Sequence, residues 1–219
     1  MASAAFILVA YLIGSLAFAV IVSRALGLPD PHTYGSGNPG ATNVLRSGSK
    51  LAALLTLVGD AGKGWLAVFL ALRFAPEYGV APIGIAACAV AVFLGHLFPV
   101  FHRFRGGKGV STALGILVGI DPWLGLATLA TWIIIAAFFR YASLASIIAA
   151  AFAPFYLYFL SLVLPQRAPW FLTMLPAVLL TSALLVWRHK VNILNLAAGR
   201  ERRFGEKAQD REARGPDSG

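Results

Sequence analysis

Seven apolar runs make up most of the chain, and they limit the possible folds more than any other feature. They cover residues 3–23, 51–72, 79–100, 109–121, 122–139, 142–164 and 168–187. A helix needs about 20 apolar residues to cross the hydrocarbon core of a bilayer, and most of these runs reach that length. Because lipid offers the backbone no hydrogen-bond partners, such runs cross as helices. The sequence therefore predicts an all-α, polytopic membrane protein.

The composition agrees with this prediction and excludes several classes of protein. Charged residues make up 12% of the 219 residues, whereas a soluble domain carries about 25%. The net charge of +9 lies in loops and tail, where positive-inside bias explains it better than a nucleic-acid partner does. Cys88 is the single cysteine, so we expect neither a disulfide framework nor a cysteine metal site. No basic residue precedes the first run, so we interpret it as a retained span rather than a signal peptide.

The distribution of basic residues predicts seven spans rather than six. The fourth run is short, and merging it with the fifth would place much of the basic tail outside. With seven spans and an outside N-terminus, fifteen lysines and arginines lie on the inner side and two, Arg73 and Arg167, on the outer side. The C-terminus is then cytoplasmic. We expect one transmembrane domain over residues 1–208 and a disordered tail over residues 209–219, where charges alternate without apolar residues.

The loop after the first run has the composition of an anion-binding turn. Residues 35–46 read GSGNPGATNVLR, with three glycines among the first six residues. Glycines let the backbone turn tightly and present N–H groups to an anion. Arg46 adds a guanidinium suited to phosphate. The competing interpretation is an ordinary polar turn between two spans. The neutral side-chain donors in this loop are Ser36, Asn38, Thr42 and Asn43.

A second glycine-rich loop leads directly into an apolar helix. Residues 104–112 read FRGGKGVST, so a tight turn, a lysine and hydroxyls meet a helix N-terminus, where free N–H groups favour phosphate. Gly109 and Val110 separate Lys108 from Ser111, which excludes a Walker motif and implies no nucleotide. The competing interpretation is a basic loop that contacts lipid headgroups. The candidate phosphate-binding residues are Arg105, Gly106, Gly107, Lys108, Gly109 and Thr112.

The third polar region follows the last apolar run. Residues 188–201 read RHKVNILNLAAGRE. If the helix continues past the membrane, a spacing of three places His189, Asn192 and Asn195 on one face. A histidine titrates near neutrality and is suited to act as a base or a hydrogen-bond donor. The competing interpretation of His189 is an interfacial histidine in a basic flank.

Ionisable residues also occur inside the predicted spans. Asp60 and Lys63 lie three residues apart in the second run. Because charges within a membrane are costly, they usually face each other or a cavity. We predict a structural ion pair, with a substrate-facing role for Lys63 as the second interpretation. His96 ends the third run, and we interpret it as a packing or loop-anchoring residue.

The three polar regions together resemble a known family. Residues 35–46, 95–112 (GHLFPVFHRFRGGKGVST) and 188–201 are similar, in order and spacing, to the three motif blocks of bacterial acyl-phosphate:glycerol-3-phosphate acyltransferases. The resemblance covers nearly the whole chain. It implies an enzyme of the bacterial cytoplasmic (inner) membrane with its active site on the cytoplasmic side. The expected reaction, the first step of phospholipid synthesis, moves a fatty acyl group from acyl phosphate to the 1-hydroxyl of glycerol 3-phosphate and gives lysophosphatidic acid and phosphate.

The resemblance also implies roles for particular residues. Ser36 and Arg46 correspond to the functional residues of the first block. The loop of residues 106–109 belongs to acyl-phosphate binding, with Lys108 near the phosphate. His189 and Asn192 correspond to the active-site pair of the third block, which we expect to be catalytic together with Ser36. Glu201 corresponds to a residue that maintains the structure. Arg105, Asn195 and Arg202 depart from the residues common in the family.

The expected partners are the two substrates and membrane lipids, without a cofactor, a metal, nucleic acid or an obligatory protein partner. Ser36 has no neighbouring aspartate and base, so we predict direct attack by the glycerol hydroxyl without an acyl-enzyme. The main alternative function is transport of a phosphorylated solute. Transporters usually show internal repeats and a polar site at mid-membrane, whereas here the polar groups cluster on one side. A non-catalytic lipid-binding scaffold is the second alternative, and it would not need the three blocks.

Overall fold

A computed structural model describes residues 1–204, and every regular element in that part of the chain is helical. The all-α membrane architecture predicted from the sequence is confirmed. Residues 209–219, predicted to form a disordered tail, lie outside the described residues. The helices are α1 (Ala2–Gly14), α2 (Phe18–Ala25), α3 (Ala41–Val44), α4 (Lys50–Phe74), α5 (Pro82–Leu97), α6 (Val110–Ile120), α7 (Pro122–Phe139), α8 (Ala142–Val163), α9 (Ala168–Arg188) and α10 (Lys190–Ala197).

Five of the helices within residues 1–204 are long and apolar enough to cross a membrane, and the bent pair α1–α2 makes a sixth span if it is counted as one. Helix α6 has 11 residues, which agrees with the short fourth run. The number of seven spans and the outside N-terminus stay predictions. The structure therefore agrees with a multi-pass membrane protein and leaves the topology to experiment.

The first apolar run, predicted as one span over residues 3–23, is not one straight helix. The chain bends by 42° between α1 and α2. Within the break, the Leu16 carbonyl accepts a hydrogen bond from Lys63 Nζ at 2.6 Å, and the Ser15 hydroxyl donates to the Tyr11 carbonyl at 2.9 Å. A carbonyl that leaves the helical ladder inside a membrane needs such a donor, so Lys63 allows the break.

The long helices form a closed circuit of contacts in which α5 is the most buried member. Helix α4 packs on α6, α6 on α7, α7 on α8, α8 on α9, α9 on α5, and α5 on α4, while α1 packs on α5. The apolar window of α5 is 61% buried, the highest fraction among the spans. Half of its buried residues are small, which lets the neighbouring helices approach closely at Ala86, Cys88, Ala89, Ala91 and Gly95.

A turn at Asp121 fixes the connection between α6 and α7. The Asp121 carboxylate accepts hydrogen bonds from the backbone N–H groups of Trp123 at 2.8 Å and Leu124 at 3.3 Å, so it caps α7. Its second oxygen lies 2.9 Å from a guanidinium nitrogen of Arg167. Pro122 at the first helical position has no N–H to leave unpaired. A tight turn therefore joins the two helices: α6 ends and α7 begins at Asp121.

Helices α4 and α6 touch through glycines. A Cβ placed on Gly64 would overlap the Thr112 carbonyl oxygen, and one placed on Gly115 would overlap the Ala61 carbonyl oxygen. Gly62, on the same helix as Gly64, has nothing within 4 Å of such an atom. The two backbones are thus in direct contact beneath the second glycine-rich loop.

This contact predicts that alanine at Gly64 and alanine at Gly62 change the free energy of unfolding differently. Gly64→Ala is expected to lower the free energy of unfolding by about 1–3 kcal/mol, because the backbone carbonyl cannot move away from the added methyl group. Gly62→Ala should leave it unchanged or raise it by up to about 1 kcal/mol, because alanine favours the helix. Thermal unfolding in detergent measures both. Equal midpoints for the two variants would contradict the close contact.

Candidate active site

The first glycine-rich loop, residues 35–46, folds around the amide of Asn43. The buried Asn43 side chain donates hydrogen bonds to the Pro31 and Tyr34 carbonyl oxygens at 2.8 and 3.2 Å. Its oxygen accepts hydrogen bonds from the Ser36 backbone N–H at 2.9 Å and the Ser36 hydroxyl at 3.2 Å. Gly35 adopts a φ of 62°, which favours glycine. Asn43 thus shapes the loop, and its predicted phosphate contact stays a prediction.

The hydrogen bond of Ser36 bears on its chemistry. Its hydroxyl proton points to a neutral amide oxygen, which is not a base. A serine nucleophile needs an adjacent base to accept this proton. The geometry therefore suits a donor or acceptor for substrate rather than a nucleophile.

The second loop lies between α5 and α6, and residues of other segments hold it through hydrogen bonds to its backbone. Arg188, the last residue of α9, donates to the Gly106 carbonyl oxygen at 2.8 Å and to the Gly107 carbonyl oxygen at 3.1 and 3.2 Å. On the other side, the Gly107 N–H donates to the His96 carbonyl oxygen at 3.2 Å. Gly109 has a φ of 86° and directs the chain into α6, whose N-terminus carries no side-chain cap.

The third block is interrupted at His189. Helix α9 ends at Arg188 and α10 begins at Lys190, so the uninterrupted helix considered for this block does not form. His189 is 2% exposed, and its Nδ1 lies 2.8 Å from the Leu185 carbonyl oxygen. Since a carbonyl only accepts, Nδ1 carries the proton, and Nε2 of the neutral ring is the acceptor. Burial lowers the pKa of His189 to about 4, and the charge of Lys108 contributes to that shift.

A chain of polar contacts joins the second and third blocks. Lys108 Nζ donates to the Asn192 side-chain oxygen at 2.5 Å, and the Asn192 amide donates to Glu201 Oε1 at 2.7 Å. The Ser143 hydroxyl donates to the same Glu201 oxygen at 2.7 Å. Glu201 therefore fixes Asn192 and, through it, the lysine. This arrangement fits the expectation that Glu201 has a structural role.

Arginine and lysine side chains from all three blocks converge here. Burial lowers the pKa of Lys108, the charges of Arg46 and Arg188 lower it further, and Glu201 opposes them. Burial is also the main cause that lowers the pKa of Arg46, and the nearby charge of Arg202 adds to it. The charges of Arg46 and Arg188 both act on Lys108, so its surroundings are positive and suit anionic ligands.

A cleft of about 360 Å³ opens between the first two loops. His32 bridges it, with Nδ1 2.7 Å from Asp30 Oδ1 and Nε2 3.2 Å from the Arg105 carbonyl oxygen. The residues that line the cleft are His32, Ser36, Gly37, Asn38, Pro39, Phe104, Arg105, Gly106 and Arg188. Glycine-rich backbone and positive side chains thus surround a space large enough for a small phosphorylated molecule.

Several residues predicted for the site lie beneath it instead. Thr112 is fully buried, and its hydroxyl lies 3.1 Å from His96 Nδ1. Asp60 and Lys63 form the predicted ion pair, with Lys63 Nζ 2.7 Å from Asp60 Oδ1. The phosphate-binding role predicted for Thr112 stays a prediction. Within residues 1–204, no group of three His, Cys, Asp or Glu residues could hold a metal ion.

The structure adds three residues to which the sequence gave no site role. Arg188 holds the second loop, His32 bridges the cleft, and Ser143 binds Glu201. His96, interpreted as a packing or loop-anchoring residue, contacts the second loop through its carbonyl oxygen. Arg188 and His32 lie in or beside the motif blocks, so their positions offered a signal. Ser143 lies near the start of α8, far from any block in sequence, and nothing in its neighbourhood distinguished it.

Comparisons with known proteins show the family of this chain. A family model described as Glycerol-3-phosphate acyltransferase matches residues 4–199. The chain belongs to the glycerol-3-phosphate acyltransferase family. A glycerol-3-phosphate acyltransferase of Ralstonia nicotianae is 61% identical over 206 residues, covering 94% of this chain and 96% of that protein. One from Cupriavidus necator is 62% identical over 207 residues, covering 94% and 98%.

Two solved structures of an acyltransferase of this family share the fold. The integral membrane glycerol 3-phosphate acyltransferase PlsY, in its glycerol 3-phosphate form, superposes with a TM-score of 0.82 at 35% identity, covering 94% of this chain and 96% of that one. Its lysophosphatidic acid form gives a TM-score of 0.81 at 34% identity with the same coverage. The integral membrane character and the family predicted from the sequence are confirmed.

Proposed function

We propose that this protein transfers a fatty acyl group from acyl phosphate to the 1-hydroxyl of glycerol 3-phosphate, giving lysophosphatidic acid and inorganic phosphate. Membership of the family supports acyl transfer to glycerol 3-phosphate and a place in phospholipid synthesis. The glycerol 3-phosphate and lysophosphatidic acid forms of the solved relative support the same acceptor and product here. The acyl phosphate donor and the residue roles below are our own assignments.

One observation carries the proposal: the three glycine, asparagine and histidine blocks, far apart in sequence, meet around a cluster of cations. The cleft between the loops has Ser36 and Asn38 on one side and Gly106 on the other. Lys108 lies beside Asn192 on the third block. Both proposed substrates carry a phosphate, so the reaction needs two anion positions next to each other. A cluster built from Arg46, Lys108 and the loop N–H groups supplies them.

The proposed reaction is direct attack on the acyl carbonyl. The 1-hydroxyl oxygen of glycerol 3-phosphate forms a bond to the carbonyl carbon, and the bond from that carbon to the phosphate oxygen then breaks. The hydroxyl proton ends on the departing phosphate, which leaves as hydrogen phosphate. Lys108 and the N–H groups at the start of α6 stabilise the negative charge that grows on the leaving oxygen. We assign Arg46 to the phosphate of the acceptor.

His189 has the form of an acceptor that orients the attacking hydroxyl. Its Nδ1–H is held by the Leu185 carbonyl oxygen, which leaves Nε2 as the atom for the substrate. A pKa of about 4 makes the ring a weak base at neutral pH. We therefore propose that His189 aligns the hydroxyl by accepting its hydrogen bond, while the leaving phosphate takes the proton. Asn192 holds Lys108 in place for the same step.

We further propose that the site faces the cytoplasm of a bacterial inner membrane. The three blocks all lie on one side of the helical bundle if seven spans form, and the basic residues of the loops and tail gather there. Acyl phosphate then arrives through the lipid, and glycerol 3-phosphate arrives from the aqueous side. The two routes suit a long-chain apolar donor and a small charged acceptor.

A single assay tests the proposed reaction. Purified protein in detergent, given acyl phosphate and glycerol 3-phosphate without any other protein, is expected to release inorganic phosphate and form lysophosphatidic acid. Omission of glycerol 3-phosphate should abolish the release. Proteoliposomes that take up labelled glycerol 3-phosphate in the absence of an acyl donor, without forming product, would instead support the transport function considered above.

A further inference from the structure

The peptide groups of Gly106 and Gly107 are contacted by Arg188 on one side and by His96 on the other. Arg188 directs its guanidinium at the carbonyl oxygens of both glycines, with three contacts of 2.8 to 3.2 Å. The guanidinium carbon also lies 5.8 Å from the centre of the Phe98 ring. Because these contacts engage two of its three nitrogens, Arg188 acts mainly on the loop backbone.

The opposite side of the loop rests on His96. The His96 carbonyl oxygen accepts the Gly107 N–H at 3.2 Å. A Cβ on Gly106 would overlap that oxygen, and a Cβ on Gly107 would overlap the His96 ring at Nε2. The two glycines are therefore required for contact with His96, and their peptide planes have little freedom to turn.

A buried charged network holds His96 in turn. Its Nδ1 lies 3.1 Å from the Thr112 hydroxyl and 3.5 Å from Asp60 Oδ1. Asp60 pairs with Lys63 at 2.7 Å, and Lys63 donates to the Leu16 carbonyl oxygen in the break between α1 and α2. Asp60 and Lys63 are each 3% exposed. The network thus connects the first bent span to α4, α5, α6 and the loop above them.

Stability alone is a poor explanation for this ion pair. Removing two charges from water costs energy that their attraction often fails to recover, and well-packed apolar side chains of similar size are frequently as stabilising. Inside a membrane the cost is higher, and such residues usually serve a function. A small cavity of about 10 Å³ lies beside Asp60, Lys63 and His96 and extends to Gly106 and Gly107, directly beneath the loop.

We propose that Asp60, Lys63, His96 and Arg188 form one positioning unit, here called the loop clamp, that sets the peptide planes of Gly106 and Gly107 for the leaving phosphate. This inference rests on the proposed function. The clamp orients the loop so that Lys108 and the backbone N–H groups at the start of α6 all point at the position of the leaving phosphate. Asp60, Lys63 and His96 act through the loop backbone and are positioning residues rather than catalytic ones.

The test removes the buried charges while keeping their volume. In the double variant Asp60→Leu/Lys63→Met, kcat/KM for acyl phosphate is expected to fall at least about 10-fold, the range for a positioning defect. The dissociation constant for glycerol 3-phosphate should stay near that of the unchanged protein, while the thermal midpoint should fall because the Leu16 carbonyl oxygen loses its donor. Hydrogen exchange at the Gly107 amide, which His96 protects, should become faster. The matched control is Arg73→Ala/Glu77→Ala, which removes an exposed ion pair at the far end of α4 and should change none of these.

A second variant keeps the test decisive if the double variant does not fold. Arg188→Lys preserves the charge but loses the planar fork, so the same rise in exchange and fall in kcat/KM are expected. Unchanged exchange at Gly107 in whichever variants fold would overturn the clamp, whether or not the protein turns over. Loss of activity in parallel with loss of glycerol 3-phosphate affinity would show a merely structural pair and overturn the clamp as well. Failure of the unchanged protein to release phosphate would refute the proposed function alone.

Discussion

Replacing Lys108 with methionine is expected to lower kcat/KM for acyl phosphate by about 100-fold to 1,000-fold, the cost of losing one preorganised partner of a developing negative charge. The effect should be large because the ammonium is partly buried and held by Asn192 at 2.5 Å, so water cannot replace it at the same place. The measurement is steady-state phosphate release at several concentrations of acyl phosphate. Lys108→Arg should recover part of the loss because it keeps the charge.

The matched control for this prediction is Lys190→Met. Lys190 is exposed and lies 5.7 Å from the centre of the Trp187 ring, outside the polar chain that leads to Glu201. This variant tests whether any positive charge near the membrane surface is enough to account for the effect of Lys108 on kcat/KM. Similar losses for both lysines would indicate that the loops serve only to attract anions to the surface, and our assignment of Lys108 to the leaving phosphate would be wrong.

Replacing His189 with alanine should lower kcat by about 100-fold, within the range for groups that assist proton transfer or hydroxyl alignment. KM for acyl phosphate should change little, because we assign His189 to the attacking hydroxyl. His189→Gln offers an acceptor without a titratable ring and should retain more activity than alanine. Near-normal turnover by the alanine variant at saturating substrate would remove His189 from the mechanism. His102→Ala, in the loop after α5, is the histidine control.

The pH dependence follows from the low pKa of His189. A ring with a pKa of about 4 is neutral above that value and can accept a hydrogen bond. Protonation removes the acceptor, so this group should cause activity to fall only as the pH drops toward 4, and not near the ordinary value of about 6.5. A profile of kcat against pH, compared with that of His189→Gln, measures this. A limb near pH 6.5 that disappears in the glutamine variant would contradict the neutral buried ring.

Much of the fold follows from hydrophobic length alone. Runs near 20 residues without charges form helices because the backbone has no other way to satisfy its hydrogen bonds in lipid. Proline occupies the first position of α5 and of α7, where its missing N–H leaves no hydrogen bond unmade. These features depend on residues close together in the sequence, so the sequence alone is enough to predict them.

The break in the first span could not be predicted in this way. Ser15, Leu16 and Ala17 are all compatible with a helix inside a membrane. What separates α1 from α2 is the lysine of another helix, 47 residues away, which takes the Leu16 carbonyl. The sequence showed Lys63 and predicted its partner Asp60, yet nothing in either segment indicated the third member.

In the site, too, some features follow from the sequence and others depend on contacts between distant residues. Recognition of the three blocks was enough to predict which loops meet and what chemical groups they hold. The arrangement inside the blocks was not visible, because a motif does not distinguish a side chain that faces substrate from one that supports its neighbour. The Asn43 amide makes its hydrogen bonds within the first loop and its flank, and Arg188 donates to carbonyl oxygens 81 and 82 residues away.

The unequal lengths of α6 and α7 have a consequence for how substrates reach the site. Helix α6 ends and α7 begins at the Asp121 turn, and α6 has 11 residues whereas α7 has 18, so the start of α6 lies about 10 Å short of the end of α7 along the bundle. Because Lys108 and its glycines directly precede α6, we expect them to lie in a recess on that side of the bundle. We expect a molecule with a fatty tail to present its headgroup there without leaving the bilayer, and the finished lipid to leave sideways by the same path.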